Sequence, residues 1–226
     1  MKIGVLGTGT VGRTMAARFA GLGHDVTIGT RDPATTAART EPDAMGNPPS
    51  SAWAAEHPEV KLGTFAEAAV QGEIVVNATG GVGSIDALTL AGADHLRGKV
   101  LLDIANPLDF SRGFPPSLSV KDTDSLGEQI QRSFPDARVV KALNTMTAGL
   151  MADPAQLAGG EHTTFVSGND DAAKKTVTAL LESLGHDDII DLGDITTARG
   201  TEMIMPIWLR LFGALGTPIF NIKVVR

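Results

Sequence analysis

Three glycines near the start constrain this chain more than anything else in it. Lys2-Ile3-Gly4-Val5-Leu6 is a short β-type run, Gly7-Thr8-Gly9-Thr10-Val11-Gly12 follows at once, and a helical run continues to Leu22. Gly23 stops that helix, and Asp25-Val26-Thr27-Ile28-Gly29 is a second apolar run ending in Thr30-Arg31. A lone G-x-G-x-x-G is a weak signal, because glycines cluster by chance in loops. Here the spacing sits inside a strand–turn–helix–strand unit of the right length. Gly7 makes the tight turn, Gly9 lets the backbone approach a pyrophosphate, and Gly12 lets helix and strand pack closely. The free N–H groups at the helix start then face the phosphates. This is the pattern of a dinucleotide site.

The end of the second strand selects the dinucleotide. An NAD-preferring unit carries Asp or Glu there, about 20 residues past the first glycines, to accept from the ribose 2′-hydroxyl. This chain has Gly29-Thr30-Arg31, a hydroxyl and a guanidinium suited to a 2′-phosphate that an acid would repel. Asp32 follows one position later and is read as a helix N-cap, because Pro33 stands at the first helical position and Ala34–Arg39 can continue helically. NADP is expected over NAD.

Composition narrows the class. A chain of 226 residues with 42% hydrophobic and 20% charged residues can bury a full core as one domain. The expected division is a dinucleotide-binding core over residues 1–145 and an extension over 146–226 with further strands and a terminal helix. The net charge of −7 argues against nucleic acid and anionic membranes as partners. Zero cysteines remove disulfides, thiolate catalysis and cysteine-ligated metals. Tyrosine is also absent, which excludes reductases that use a phenol as general acid. No signal peptide and no run near the ~18 residues of a membrane span are apparent, so a cytoplasmic location is expected.

Along the chain, Glu41–Ser51 is a loop by composition, followed by a helical piece at Ala52–Glu56 beside the expected adenosine end. Strands are expected at Val60–Thr64, Glu73–Asn77, Lys99–Ile104, Arg138–Leu143, Thr163–Ser167 and Asp188–Leu192. Helices are expected at Phe65–Gln71, from Gly83 through Ala93, from Ser125 to Phe134, at Asp170–Leu184 and at Ala198–Leu215. Strands alternating with helices at this spacing call for an α/β doubly wound, mainly parallel sheet of Rossmann type. Leu-Gly-His-Asp occurs twice, at Leu22–Asp25 and Leu184–Asp187, each ending a helix and opening a strand. Its Gly is a helix C-cap, and His24 and His186 are expected at the surface, at the end of the sheet away from a ligand. His57, His95 and His162 have no metal-ligand spacing and read as loop residues; no metal site is expected.

In an open parallel sheet, ligands sit at the carboxyl ends of the strands. The residues there are Gly7–Val11, Thr30-Arg31, Ala78-Thr79-Gly80-Gly81, Ala105-Asn106-Pro107 and Asn144-Thr145-Met146-Thr147. Such residues hydrogen-bond ribose, carboxamide and neutral rings, but none is a general acid or base near neutrality. Asn106 and Asn144 have a second reading, as partners of strand-end backbone groups. Lys141 precedes this edge and could face either way. No catalytic residue is expected, and the site reads as one for hydride transfer without protein proton chemistry.

Gly7–Gly12 with Gly29-Thr30-Arg31, Asn77-Ala78-Thr79, Ala105-Asn106-Pro107 and Val140–Met146 resembles the family of coenzyme F420-dependent NADP reductases, over nearly the whole chain. It also resembles the cytosolic domain of the six-transmembrane metalloreductases, which passes hydride from NADPH to a flavin. The resemblance implies that NADP and a deazaflavin lie face to face. Gly7, Thr8, Gly9, Thr10 and Val11 would hold the pyrophosphate, and Thr30 and Arg31 the 2′-phosphate. Asn77, Ala78 and Thr79 would lie along ribose and nicotinamide, with Ala105, Asn106 and Pro107 beside the second ring. Three readings follow: hydride exchange between NADP(H) and F420, NADPH-dependent reduction of a flavin, ferric chelate or small organic substrate, and a non-enzymatic NADP sensor. The helix Ala198–Leu215, apolar on more than one face, predicts a homodimer.

Overall fold

The computed structural model describes residues 1–42, 46 and 48–226. Ten strands run β1 Lys2–Leu6, β2 Asp25–Thr30, β3 Lys61–Thr64, β4 Ile74–Asn77, β5 Val100–Asp103, β6 Leu108–Asp109, β7 Ser117–Leu118, β8 Arg138–Ala142, β9 Thr163–Gly168 and β10 Asp188–Asp191. Eight of them form one sheet in the order β10-β9-β8-β5-β4-β1-β2-β3, and β6 pairs with β7 in a small hairpin. Every neighbouring pair in the large sheet is parallel except β8 and β9. The sheet is thus the expected mainly parallel α/β type, and the chain reverses once, between β8 and β9.

Both faces of the sheet are covered, which is why its strands read as unbroken apolar runs. Ile3, Val5, Val76, Leu102 and Val140 face one core, closed by Met15, Phe19, Leu150, Val177 and Leu181. Leu6, Val75, Leu101 and Val139 alternate to the other, closed by Phe65, Leu88, Leu126 and Ile130. The period of two is therefore present but carries no polar–apolar contrast.

The helices are α1 Thr10–Gly21, α2 Pro33–Ala37, α3 Ser50–Glu56, α4 Phe65–Gln71, α5 Ser84–Ala91, α6 Ala93–Leu96, α7 Leu126–Ser133, α8 Ala148–Ala152, α9 Asp171–Leu184, α10 Ala198–Glu202 and α11 Met205–Leu215. Their starts are chemically marked: Asp32 accepts from Thr35 N–H, Thr64 and Glu67 form a reciprocal capping box, and Ser125 and Asp170 cap α7 and α9.

Several sequence expectations are corrected. The helix expected from Gly83 through Ala93 ends at Ala91, because Gly92 adopts φ +93° and restarts the chain as α6. The single helix expected over Ala198–Leu215 is two: Pro206 lacks an N–H and clashes with a preceding turn, so it stands in the first turn of α11. Ser50 and Ser51, expected in a loop, open α3; of that expected loop, Asp43, Ala44, Met45 and Asn47 lie outside the described residues. The short helix α8 was not foreseen. His186, expected at the surface, is buried, with Thr164 Oγ1 at 2.9 Å from Nδ1 and Met151 O at 3.0 Å from Nε2, and burial pushes it below the ordinary histidine value. His162 is likewise buried rather than in an open loop, and His95 belongs to α6. Among the described residues no helix is long and apolar enough to cross a membrane.

Candidate functional site

The carboxyl ends of β1, β4, β5 and β8 surround a cleft of about 930 Å³. The glycine turn at its head fits a dinucleotide, each glycine for a different reason. Gly7 has φ +113°, a conformation that residues with a Cβ rarely adopt. A Cβ on Gly12 would fall on the Gly7 carbonyl oxygen, so α1 can start directly over the turn only with glycine there. A Cβ on Gly9 would meet nothing within 4 Å. Gly9 is therefore bare toward open space rather than toward protein, as close approach of a phosphate requires.

Arg31 lines the cleft and is exposed. Its neighbour Asp32 caps α2, accepting from Thr35 N–H (3.1 Å) and Thr35 Oγ1–H (2.6 Å). Those bonds hold the Asp32 carboxyl below the usual carboxylate range. Thr30 departs from the expected arrangement. Its Oγ1 lies 2.9 Å from Thr36 Oγ1 in a buried pair, and Thr30 does not line the cleft. Arg13 donates to Pro48 O (2.5 Å) and Ser50 Oγ (2.6 Å), which ties the segment entering α3 to α1.

The expected residues divide by exposure. Thr10, Val11, Ala78, Thr79, Asn106 and Asn144 line the cleft with Arg31. Thr8, Gly9 and Gly7 belong to the turn at its head, and Pro107 lies outside the lining, its carbonyl accepting from Ser119 N–H at 2.8 Å. Asn77 is fully buried behind Thr79. Asn106 and Asn144 bond each other: Asn106 Nδ2 donates to Asn144 O (2.7 Å) and Asn144 Nδ2 to Asn106 Oδ1 (3.0 Å). The pair thus satisfies the Asn144 backbone carbonyl at a strand end, and both residues line the cleft.

Sequence reasoning did not assemble the far half of the cleft. Leu108, Phe110, Met146, Met151, Met205 and Trp208 line it, from the hairpin, the β8–α8 region and α11. Trp208 stacks on Phe220 (ring centroids 5.1 Å apart), and Asn221 next to it donates to His162 Nδ1 at 2.8 Å. Met146 stands among the strand-end residues already marked by the sequence; no local pattern marks the others, which the fold brings together from the hairpin, α8 and α11.

Ionisable groups are scarce in the lining. Asp109 accepts from Ser111 N–H at 2.8 Å, which holds its carboxyl below the usual range. His57 instead stacks on Trp53, His95 Nδ1 lies 2.7 Å from Ala91 O, and no group of three or more histidine or acidic side chains among the described residues could hold a metal.

Lys141 faces away from the cleft. In register, Asn77 of β4 stands beside Asp103 of β5, and Asp103 beside Lys141 of β8. The Lys141 ammonium lies 2.6 Å from Asp103 Oδ2, 2.8 Å from Glu202 Oε1 and 2.7 Å from Ala105 O, all buried. Burial opposes its charge, but Asp103 and Glu202 outweigh that and hold Lys141 protonated, above the ordinary lysine value. The one excess negative charge of the trio is met by Leu126 and Gly127, whose N–H groups at the start of α7 donate to Glu202 at 2.8 and 3.0 Å. A lysine inside Val139-Val140-Lys141-Ala142 was the available signal, since a charge in a buried strand requires partners.

Comparison with known proteins agrees with this geometry. A family described as "NADP oxidoreductase coenzyme F420-dependent" matches residues 2–107. The F420-dependent NADP reductase of Methanothermobacter marburgensis is 30% identical over 218 residues, 93% of this chain and 92% of that protein. The metalloreductase STEAP3 of Rattus norvegicus is 31% identical over 213 residues; the match takes in 92% of this chain but only 38% of STEAP3. A crystal structure from Arthrobacter sp. FB24, of a candidate F420-dependent NADP reductase, superposes over the full length of both chains with a TM-score of 0.96 and 65% identity. The chain is thus an NADP-dependent oxidoreductase and belongs to the family of F420-dependent NADP reductases.

Proposed function

We propose that the cleft holds NADP(H) against a planar deazaflavin, coenzyme F420, and that hydride passes directly between the two rings. The observation that carries this reading is the chemistry of the lining. Apart from Arg31 at the phosphate end, its ionisable side chain is Asp109, kept as an anion, so the protein has no proton donor to offer near neutrality. Bound NADPH would supply a hydride, and a ring acceptor would complete the reaction by taking up one proton from water at its ring nitrogen. The chain's own task is orientation. Gly7, Thr8, Gly9, Thr10, Val11 and Gly12 would fix the pyrophosphate, Arg31 the 2′-phosphate, and Thr79, Asn106 and Asn144 the nicotinamide half. Met146, Met151, Met205, Phe110 and Trp208 would press on the second ring, which must come within about 3–3.5 Å of the first.

A flavin, ferric chelate or small organic acceptor is the second reading, supported by the likeness to a metalloreductase across nearly the whole chain. The test is NADPH oxidation with F420, FMN, ferric chelates and quinones in parallel. Turnover with F420 exceeding the others is expected; turnover confined to a chelate or quinone overturns the proposal. Under the best acceptor, alanine at His57, His95, His162 or Asp109 should leave kcat within tenfold and its pH profile unchanged. A thousandfold loss at any one of them, with NADPH binding intact, would mean that a protein acid or base exists and that the acceptor is a carbonyl or imine.

A homodimer is the proposed assembly. Of α11, only Met205 and Leu209 are buried, whereas Ile207 and Leu215 are 53% and 56% exposed and Leu211 and Phe212 are half-covered. Such a face is more than an isolated domain usually leaves to water. Sedimentation at micromolar concentration should give twice the chain mass, and a monomer would reject the assembly.

A further inference from the structure

The buried charge trio is joined to the cleft by a hydrogen-bond chain whose polarity can be worked out atom by atom. Asp103 Oδ1 is an acceptor, so the side chain of Asn77 must turn its Nδ2 toward it, and the distance is 2.8 Å. The same Nδ2 donates to Ser84 Oγ at 3.1 Å, which uses both of its protons. Asn77 Oδ1 therefore faces the other way, where it accepts from Thr79 N–H (3.3 Å) and from Thr79 Oγ1–H (2.7 Å). A carbonyl oxygen cannot donate, so the single proton of the Thr79 hydroxyl is committed inward. With its own proton committed, Thr79 Oγ1 can only accept from Ser84 Oγ at 2.9 Å, whose proton is shared with Gly80 O at 3.5 Å. One lone pair of Thr79 remains, and Thr79 lines the cleft.

We propose that Thr79 is an obligate hydrogen-bond acceptor for an N–H or O–H on the nicotinamide-riboside half of NADP, and that Asp103 is the positioning residue that sets this polarity through Asn77. Lys141 and Glu202 act one step further back, holding Asp103 in place from β8 and α10. The inference rests on the proposed placement of the nicotinamide half over the ends of β4 and β5. Two donors on that half qualify: the carboxamide NH2 and a ribose hydroxyl.

The test measures binding without any acceptor, so it does not depend on F420 being the partner. Its probes are NADP and its 3-acetylpyridine analogue, which lacks the NH2. Thr79→Val, which keeps the shape, should weaken NADP binding roughly tenfold, the scale of one neutral hydrogen bond with its partner left unpaired. Thr79→Ser should restore it. If the donor is the carboxamide, wild type prefers NADP over the analogue and Thr79→Val erases the preference; if it is a ribose hydroxyl, Thr79→Val weakens both probes equally. Asp103→Asn lets Asn77 turn over, so it should weaken NADP binding in the wild-type background and have no further effect in Thr79→Val. Binding by Thr79→Val within twofold of wild type, or failure of Thr79→Ser to restore it, overturns the proposal. Additive losses for Asp103→Asn and Thr79→Val overturn the role of Asp103; should Asp103→Asn not fold, the Thr79 variants decide alone. A misplaced cofactor shows separately, as loss of the NADPH-over-NADH preference that Arg31 is expected to confer.

Discussion

Replacing Lys141 by methionine should lower the stability of this protein by about 3–5 kcal/mol, the usual cost of removing one member of a buried ion cluster. The size follows from what is left behind. Asp103 and Glu202 would remain buried as neighbouring carboxylates, with no ammonium between them and no water to replace it. Glu202 would keep the two N–H groups of α7, and Asp103 would keep Asn77, so the damage falls on the gap between them. Denaturant unfolding is the measurement. Adding Glu202→Gln to Lys141→Met removes one of the stranded charges and should recover part of the loss, as should lowering the pH, which supplies a proton where the ammonium is missing. A loss under 1 kcal/mol would mean that the cluster is solvated in solution. Loss of turnover in Lys141→Met is accordingly no sign of proton transfer by Lys141, since unfolding and a displaced Asp103 would each produce it.

NADPH should bind at least tenfold more tightly than NADH, and Arg31→Ala should remove about 1.5–3 kcal/mol of NADPH binding while leaving NADH nearly untouched. The magnitude is that of charge-assisted hydrogen bonds at an exposed site. The asymmetry between cofactors is the sharper part. Asp32 follows Arg31 directly, and its carboxylate is turned to Thr35 as the cap of α2, with one acceptance at each oxygen. Disrupting that cap should therefore matter to cofactor choice as well as to α2. Titrations of both cofactors with wild type and Arg31→Ala decide the point, and equal wild-type affinities would reject the 2′-phosphate role.

The cofactor half of the site was legible in the sequence because its determinants are local. A glycine spacing, a strand on either side and an arginine at a strand end all lie within the first 31 residues. Asp32 was legible too, since Asp followed by Pro and then Thr35 is a helix start in either context. The partner of Thr30 was not legible, because β2 and α2 together bring Thr36 Oγ1 to its hydroxyl. The far half of the cleft was less legible for a different reason: Met146 follows a strand end and could be marked, but Phe110 and Trp208 come from the segment after β6 and from α11, which no local pattern joins to it. The single helix expected over Ala198–Leu215 followed the apolar stripe, which runs straight through Pro206, where α11 in fact begins. The row Asn77, Asp103, Lys141 was hidden by apolar neighbours on both faces of each strand.

That row bears on any attempt to move the site into another scaffold. Grafting the glycine turn and the loops after β4 and β5 would carry the atoms that touch a ligand but not their orientation. Thr79 takes its polarity from Asn77, Asn77 from Asp103, and Asp103 is held from a strand that the pattern of a dinucleotide site never mentions. The smallest portable unit is three neighbouring strand ends with the start of α7 and Glu202 behind them. A graft lacking these should fold and still present a threonine whose hydroxyl is free to point either way.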